Sequence, residues 1–390
     1  MFVVTLLALA LAVNAAAAST NSSNLGQQAV QTLLQYGRPI LGDYTSCNEG
    51  LCTWMSQFPD DLSIVRMNIP GVHDTATWNY SQTTQDSLEH ITASGITGSE
   101  AYQPEPAEFY RCQDQPIFEM LNGGIRAFDL RYAFDPTNSS LVFYHSAALQ
   151  SETATVQDIL YGFYHWLDDH PSEAVFLSFM YESSTTEWAQ NNAAVQQMLY
   201  GTLTNDVAQE YISPIKDRFG TLGDIRGKIV LLRRFTLDLL PASAEATIPG
   251  VHFPPSNWTD NSPNITLIYN LQTNGIAYIE DYYEIGLPNG AGAALNIQWK
   301  FNATTAHLEM AASEQWKDSL FWSFASSEHD TDVPSPETPI IQALGNGTDV
   351  PGVNQKLLPW LEARKGSRWG IVMLDFFGNI PGLVKAVIGI

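Results

Sequence analysis

Four short segments place polar residues where an apolar run ends. Asn68-Ile-Pro-Gly-Val-His-Asp-Thr75 puts His73 and Asp74 just past a Pro70-Gly71 turn. Gly124-Ile-Arg-Ala-Phe-Asp-Leu-Arg131 alternates, so Ile125, Ala127, Asp129 and Arg131 share one face while Arg126 and Phe128 share the other. Leu141-Val-Phe-Tyr-His-Ser146 closes on His145, and Gly370-Ile-Val-Met-Leu-Asp-Phe-Phe377 is interrupted by Asp375. Two imidazoles with pKa values near working pH can take one proton and give another. A fixed guanidinium compensates negative charge as it builds in a transition state. A carboxyl set in an apolar strand must find a partner, because burying it alone is costly. Each segment by itself has a plainer reading: a solvated His–Asp turn, an ion pair that only fixes its strand, a structural histidine. Together the four strand ends, His-Asp, Asp-x-Arg, His and Asp, are far more specific than any one of them.

The elements that must position these groups are legible as apolar or alternating runs. Eight read as strands: Ile64–Ile69, Ile125–Tyr132, Leu141–His145, Ala174–Tyr181, Lys228–Arg233, Ala277–Tyr282, Leu320–Ser326 and Gly370–Phe376. Helical patterns lie between several of them, at Val156–Asp169, Trp188–Thr204, Asn296–Ser313 and Gln355–Ala363. This alternation predicts an α/β fold with a parallel sheet, and eight strands point to an irregular (β/α)8 TIM-type barrel. Barrel active sites sit at the C-terminal ends of strands, and strand eight lies beside strand one, so Asp375 can orient His73. One gap is irregular: only nine residues run from Ala133 to Leu141, whereas a parallel crossover usually needs about a dozen or more. Nine extended residues still reach about 30 Å, so a helix-free return is expected and the barrel is imperfect there. Pro241–Pro255 and Val333–Gly352, rich in Pro and Gly, read as surface loops. His329 reads as part of a solvated loop, with Tyr282 and Tyr283 as lining candidates at the mouth.

Residues 1–18 are apolar and lead into small residues, as a signal peptide does. Residues 19–62 then form an N-terminal extension and 63–390 the barrel domain. Seven N-x-S/T sites, at Asn21, Asn79, Asn138, Asn257, Asn264, Asn302 and Asn346, predict a glycosylated secretory protein. In an oxidising compartment Cys47 and Cys52 are expected to pair, which leaves Cys112 unpaired among the three cysteines. A net charge of −23 excludes nucleic acid as partner and opposes adsorption to anionic membranes, although an acidic environment would remove part of it. No Gly-rich phosphate loop, nucleotide fingerprint or Cys/His metal spacing occurs, so no cofactor is expected.

The four-segment pattern resembles the phosphatidylinositol-specific phospholipase C X-domain family, particularly its bacterial, calcium-independent branch and the related fungal phospholipase C-like phosphodiesterases. Asp169-His-Pro-Ser-Glu-Ala-Val-Phe-Leu-Ser178 and Leu222-Gly-Asp-Ile-Arg-Gly-Lys-Ile-Val-Leu-Leu-Arg-Arg-Phe235 extend the resemblance, which covers roughly Ser63 to the C-terminus. It implies cleavage of an inositol phospholipid to diacylglycerol and cyclic inositol phosphate. His73 would be the general base on the inositol 2-hydroxyl, oriented by Asp375, and Arg131 would contact the phosphate. His145, linked to Asp74, would protonate the leaving oxygen. Asp129, Arg234, Asp281 and Tyr283 would bind substrate. Calcium-dependent relatives carry acidic residues where this chain has Arg131 and Met180, and an Asn where it has Asp74; calcium needs about six to eight oxygen ligands, so no catalytic metal is expected. The partner would be a phospholipid or other phosphodiester, met in transient membrane-surface contact by a monomer. The chain departs from the family in having Phe179-Met180-Tyr181-Glu182 where bacterial enzymes place lysines, and His145-Ser146 where His-Gly is expected. Two rivals stay open at this level. One is a glycosidase on the same barrel, which would draft two carboxylates; the other is a catalytically silent, glycosylated binding protein.

Overall fold

The computed structural model describes residues 25–88, 105–182, 190–284, 290–329 and 336–390. Its strands are β1 (Ile69–Val72), β2 (Ala127–Phe134), β3 (Leu141–His145), β4 (Ala148–Leu149), β5 (Ala174–Tyr181), β6 (Lys228–Arg234), β7 (Val251–His252), β8 (Ser262–Asn270), β9 (Gly275–Asp281), β10 (Leu320–Phe324) and β11 (Ile371–Leu374). They form one sheet whose main path runs β7-β6-β5-β2-β1-β11-β10-β9-β8, with β3 branching off β2 and β4 pairing with β3. From β7 to β9 every neighbouring pair is parallel, and β8 closes the series antiparallel to β9. The sheet is therefore a nearly closed, irregular TIM-type barrel, with β7 and β8 as its two edges among the described residues.

Local sequence explains the parallel strands and their helices. The first six residues of β5 are all buried, as expected of a strand covered on both faces. The helix Val156–Asp169 buries Val156, Ile159, Leu160, Phe163 and Leu167, a single helical stripe, and starts on a Thr155/Asp158 capping box. At Gly71 an added Cβ would lie 2.5 Å from Met373 Sδ and 2.9 Å from Ala127 Cβ. Only glycine lets β1 sit this close to β2 and β11, and that closeness sets His73 beside Asp375.

Several expected boundaries move. Ile64–Arg66 is a 3-10 turn, and β1 begins at Ile69, where pairing with Ile371 starts. Leu141–His145 is a strand, but it runs antiparallel to β2 rather than taking a parallel place in the barrel. The short connector explains this: Asp135 accepts hydrogen bonds from the backbone N–H groups of Thr137, Ser139 and Ser140, closing a tight hairpin turn. The eighth parallel strand is β7, inside the stretch expected to be a surface loop, which also holds the short helix Ala242–Thr247. The second such stretch contains the helix Pro339–Leu344.

The segment before β1 packs onto the N-terminal end of the barrel. Residues 25–41 are helical, and Ile40, Leu41, Cys52, Trp54 and Met55 belong to the main core. Cys47 and Cys52 are joined by a disulfide. Arg126, fully buried, pairs with Glu173 at 2.7 Å, donates to the carbonyls of Leu51 and Cys52 and lies over Trp166. This end is sealed, which leaves the opposite end for the site.

Candidate active site

His73, Arg131, His145, Arg234, Asp281, Tyr283 and Asp375 all line one cavity of about 660 Å³ at the C-terminal ends of the strands. Asp74 and Asp129 lie buried beneath it. The two imidazole rings stand 6.2 Å apart, nearly perpendicular, and both Nε2 atoms face the same carboxylate oxygen, Asp74 Oδ2, at 3.2 Å from His73 and 3.3 Å from His145. Arg131 Nε lies 3.1 Å from Asp74 Oδ1 and 3.1 Å from Asp129 Oδ2. One phosphate-sized group can thus meet two imidazoles and a guanidinium at once.

The chain turns sharply as it leaves three of these strands. Asp74 (φ 40°), Ser146 (φ 51°) and Phe376 (φ 47°) are non-glycine residues in the left-handed region, a costly conformation that clusters at functional sites. Each turn aims the residue at or beside it, His73, His145 or Asp375, into the cavity. Gln113 holds two of these turns together by donating to the carbonyls of His73 and Leu374.

Hydrogen bonding assigns the protons. Arg131 Nη2 is a donor and lies 2.7 Å from His73 Nε2, so that nitrogen is an acceptor. His73 then carries its proton on Nδ1, 3.2 Å from Asp375 Oδ1. Burial, with Arg131 and His145 adding to it, holds the His73 pKa well below 6.5 and keeps the ring a neutral base. His145 Nδ1 donates to the Tyr110 carbonyl at 2.9 Å, which leaves its Nε2 facing Asp74 Oδ2. Two lone pairs cannot bond, so one proton must sit between them. Burial pushes Asp74 up to about 7 and His145 down to about 4, and the pair titrates as a unit that keeps its proton to near neutrality. Burial also raises Asp375, with Asp74 adding to it. Burial opposes the charge on Arg131, but Asp74 and Asp129 outweigh it and keep the guanidinium ionised.

The other wall is aromatic and polar. Arg234 stacks 3.8 Å over the Trp258 ring and reaches Asp129 at 3.5 Å and Asp281 at 3.8 Å. Trp258 Nε1 donates to Asp281, and Tyr283 OH donates to Asp260. Sequence reasoning missed Trp258, Asp260, Gln113 and Glu182 as parts of the site. Glu182 follows β5 directly, accepts the Ser146 N–H at 2.8 Å and lies 3.8 Å from Arg131. Only Glu182 carried a local signal, as an acid at a strand end; the others come from loops. His329, expected to be solvated, is buried and forms a backbone bridge with Glu337 outside the cavity.

Comparisons with known proteins follow this geometry. Residues 100–235 match the family model described as phosphatidylinositol-specific phospholipase C, X domain. A 1-phosphatidylinositol phosphodiesterase of Staphylococcus aureus is 22% identical over 338 residues, covering 83% of this chain and 88% of that protein. The human PI-PLC X domain-containing protein 1 is 26% identical over 196 residues, 48% of this chain and 54% of its own. Among solved structures, a variant of the phosphatidylinositol-specific phospholipase C from S. aureus superposes with a TM-score of 0.64 at 18% identity, covering 87% of this chain and 97% of that one. The Listeria monocytogenes enzyme gives 0.58 at 20% identity, with 87% and 98% covered. Residues 100–235 thus resemble the X domain of phosphatidylinositol-specific phospholipase C, and the chain has the fold of the bacterial enzymes.

Proposed function

We propose that this chain is a secreted, metal-independent phosphodiesterase that cleaves an inositol phospholipid by internal transfer. The inositol 2-hydroxyl gives its proton to His73 Nε2 and its oxygen bonds to phosphorus. The bond from phosphorus to the diacylglycerol oxygen breaks, and that oxygen takes the proton held between Asp74 and His145. Diacylglycerol leaves and a cyclic inositol phosphate forms. Because the nucleophile belongs to the substrate, no water has to be bound and activated first. Arg131 occupies the lone pair of His73; moving its guanidinium onto the phosphate both frees the base and neutralises charge in the transition state. Arg234, Asp281 and Tyr283 hold the sugar ring against Trp258, while Asp129, expected from the sequence to bind substrate, lies beneath the cavity and instead fixes Arg131 and Arg234.

The observation that carries this reading is the bracket: two imidazoles around one carboxylate, with a guanidinium between them. The donor set argues against catalytic calcium, since Arg131 occupies the middle of the carboxylate group and too few oxygens remain. Secretion and glycosylation fit the exposure of every described sequon asparagine, namely Asn79, Asn138, Asn257, Asn264, Asn302 and Asn346. We assign residues 1–18 to a leader; they lie outside the described residues. A monomer that touches the membrane transiently completes the proposal.

The test is release of cyclic inositol phosphate from phosphatidylinositol vesicles. His73→Ala and His145→Ala should each lose about 10²–10⁴-fold in kcat, with EDTA leaving the wild type unaffected. Full activity in both variants would sink the assignment.

A further inference from the structure

The proposed reaction leaves one metal-ligating side chain in the cavity wall without a task. Cys112 is buried and outside the Cys47–Cys52 disulfide, so it is the protein's single free thiol. Its position is fixed by its backbone: its N–H donates to Thr77 Oγ1 and its carbonyl accepts from Phe376 N–H. Its Sγ lies 3.9 Å from His145 Nδ1. Donor atoms of Cys112, Asp74 and His145 all lie within 4.8 Å of one another, and so do those of Cys112, His73 and Asp375. Independently, Asp375 Oδ2, on the other side of the sulfur, receives no hydrogen bond, although this side chain is only 1% exposed. A sulfur within reach of two imidazoles and two carboxylates, one with a buried oxygen lacking a donor, is an arrangement that a cation completes.

The donor types select the cation. Calcium and magnesium want oxygen alone, whereas sulfur, imidazole nitrogen and carboxylate oxygen together suit zinc and its softer congeners. Tetrahedral zinc, with bonds of about 2.0–2.3 Å, spaces its donors roughly 3.3–3.8 Å apart. Asp74 Oδ2 and His145 Nε2, 3.3 Å apart, already have that spacing, and rotation of the Cys112 side chain would bring its sulfur to them. We propose that Cys112, His145 and Asp74 form a binding site for a thiophilic divalent cation of the zinc type, and that filling it shuts the active site. On binding, the Cys112 S–H bond breaks and a metal–sulfur bond forms. The thiol proton and the proton shared by Asp74 and His145 both go to solvent. His145 then bonds the metal through the nitrogen that would otherwise protonate the leaving oxygen.

The inhibitory effect rests on the proposed phosphodiesterase reading, but metal binding does not, and the test separates them. Titrating cadmium into the full-length protein should produce one equivalent of thiolate-to-metal charge-transfer absorption, which zinc displaces. Cys112→Ser should abolish the band, and His145→Gln should keep it while weakening affinity at least tenfold. In the activity assay, zinc should inhibit the wild type reversibly with EDTA, and Cys112→Ser should need at least tenfold more. Absence of the band in the wild type, or affinity unchanged in His145→Gln, overturns the site. If no diester is cleaved at all, the absorption titration still decides the metal site and only the functional reading falls. Should Cys112→Ser not fold, His145→Gln carries the test.

Discussion

Asp74 is the residue on which the site turns. One of its oxygens faces both imidazoles and the other faces Arg131. Below about pH 7 the Asp74–His145 pair holds a proton, because burial raises Asp74 to about 7 while lowering His145 to about 4. Activity should therefore fall as pH rises through about 7. In Asp74→Asn the proton must reside on His145 alone, so the alkaline limb of the kcat/KM profile should move acidward by more than one unit. An unchanged limb would mean the shared proton is not the one transferred. Stability gives a weaker signal. The raised Asp74 contributes stability that is full below its unfolded pKa of 3.8 and lost as pH rises through about 7. The lowered His145 contributes stability present above 6.5 and lost as pH falls through about 4. Between those limits the two slopes oppose each other, so the rate profile is the measurement to make.

At the scale of elements, the site depends on how strands end. β1, β3 and β11 each give way within two residues to a left-handed residue that turns a candidate catalytic side chain into the cavity. After β3 that residue is Ser146, where the sequence resemblance leads one to expect glycine. Its backbone N–H is held by Glu182, which compensates for the unfavourable conformation of a residue with a Cβ. Ser146→Gly keeps this hydrogen bond and relieves the strain, so it should stabilise the protein by about 1 kcal/mol. A higher denaturation midpoint at unchanged m-value would show this; a lower one would contradict it. The β2–β3 hairpin also explains how His145 reaches the site without a barrel position of its own. It folds back over the end of β2, where Arg131 already points.

At the scale of the whole molecule, the two barrel ends have different tasks. The N-terminal end is plugged by Trp54, the Arg126–Glu173 pair and the disulfide-closed segment. Breaking such a buried pair costs about 3–5 kcal/mol, so the plug is a stability element remote from the chemistry. Under the proposed function the open end must approach a lipid surface while the chain carries a net charge of −23. Repulsion from an anionic bilayer reaches about 30 Å at 0.01 M salt and about 8 Å at 0.15 M. Activity on phosphatidylinositol vesicles should therefore rise severalfold between those ionic strengths, and a fall would point instead to a cationic docking patch. Among the described residues no helix is long and apolar enough to cross a membrane.

How much of this was legible in the sequence differs from residue to residue. His73, Asp129, Arg131, His145 and Asp375 were readable because a polar residue at the end of an apolar strand is costly without a purpose, and that cost is local. β5 and the helix Val156–Asp169 were readable to the residue, since long apolar runs and a capping box are local too. Direction was not: Leu141–His145 has the same pattern in a hairpin as in a parallel strand, and β7 is too short to show a period. Trp258 under Arg234, Gln113 between two turns and Cys112 beside His145 lie far in sequence from the groups they touch. Local composition determined the chemical groups and most of the strands that present them. Tertiary structure alone decided which loops close around those groups, because contacts between distant segments depend on packing rather than on neighbours in the chain.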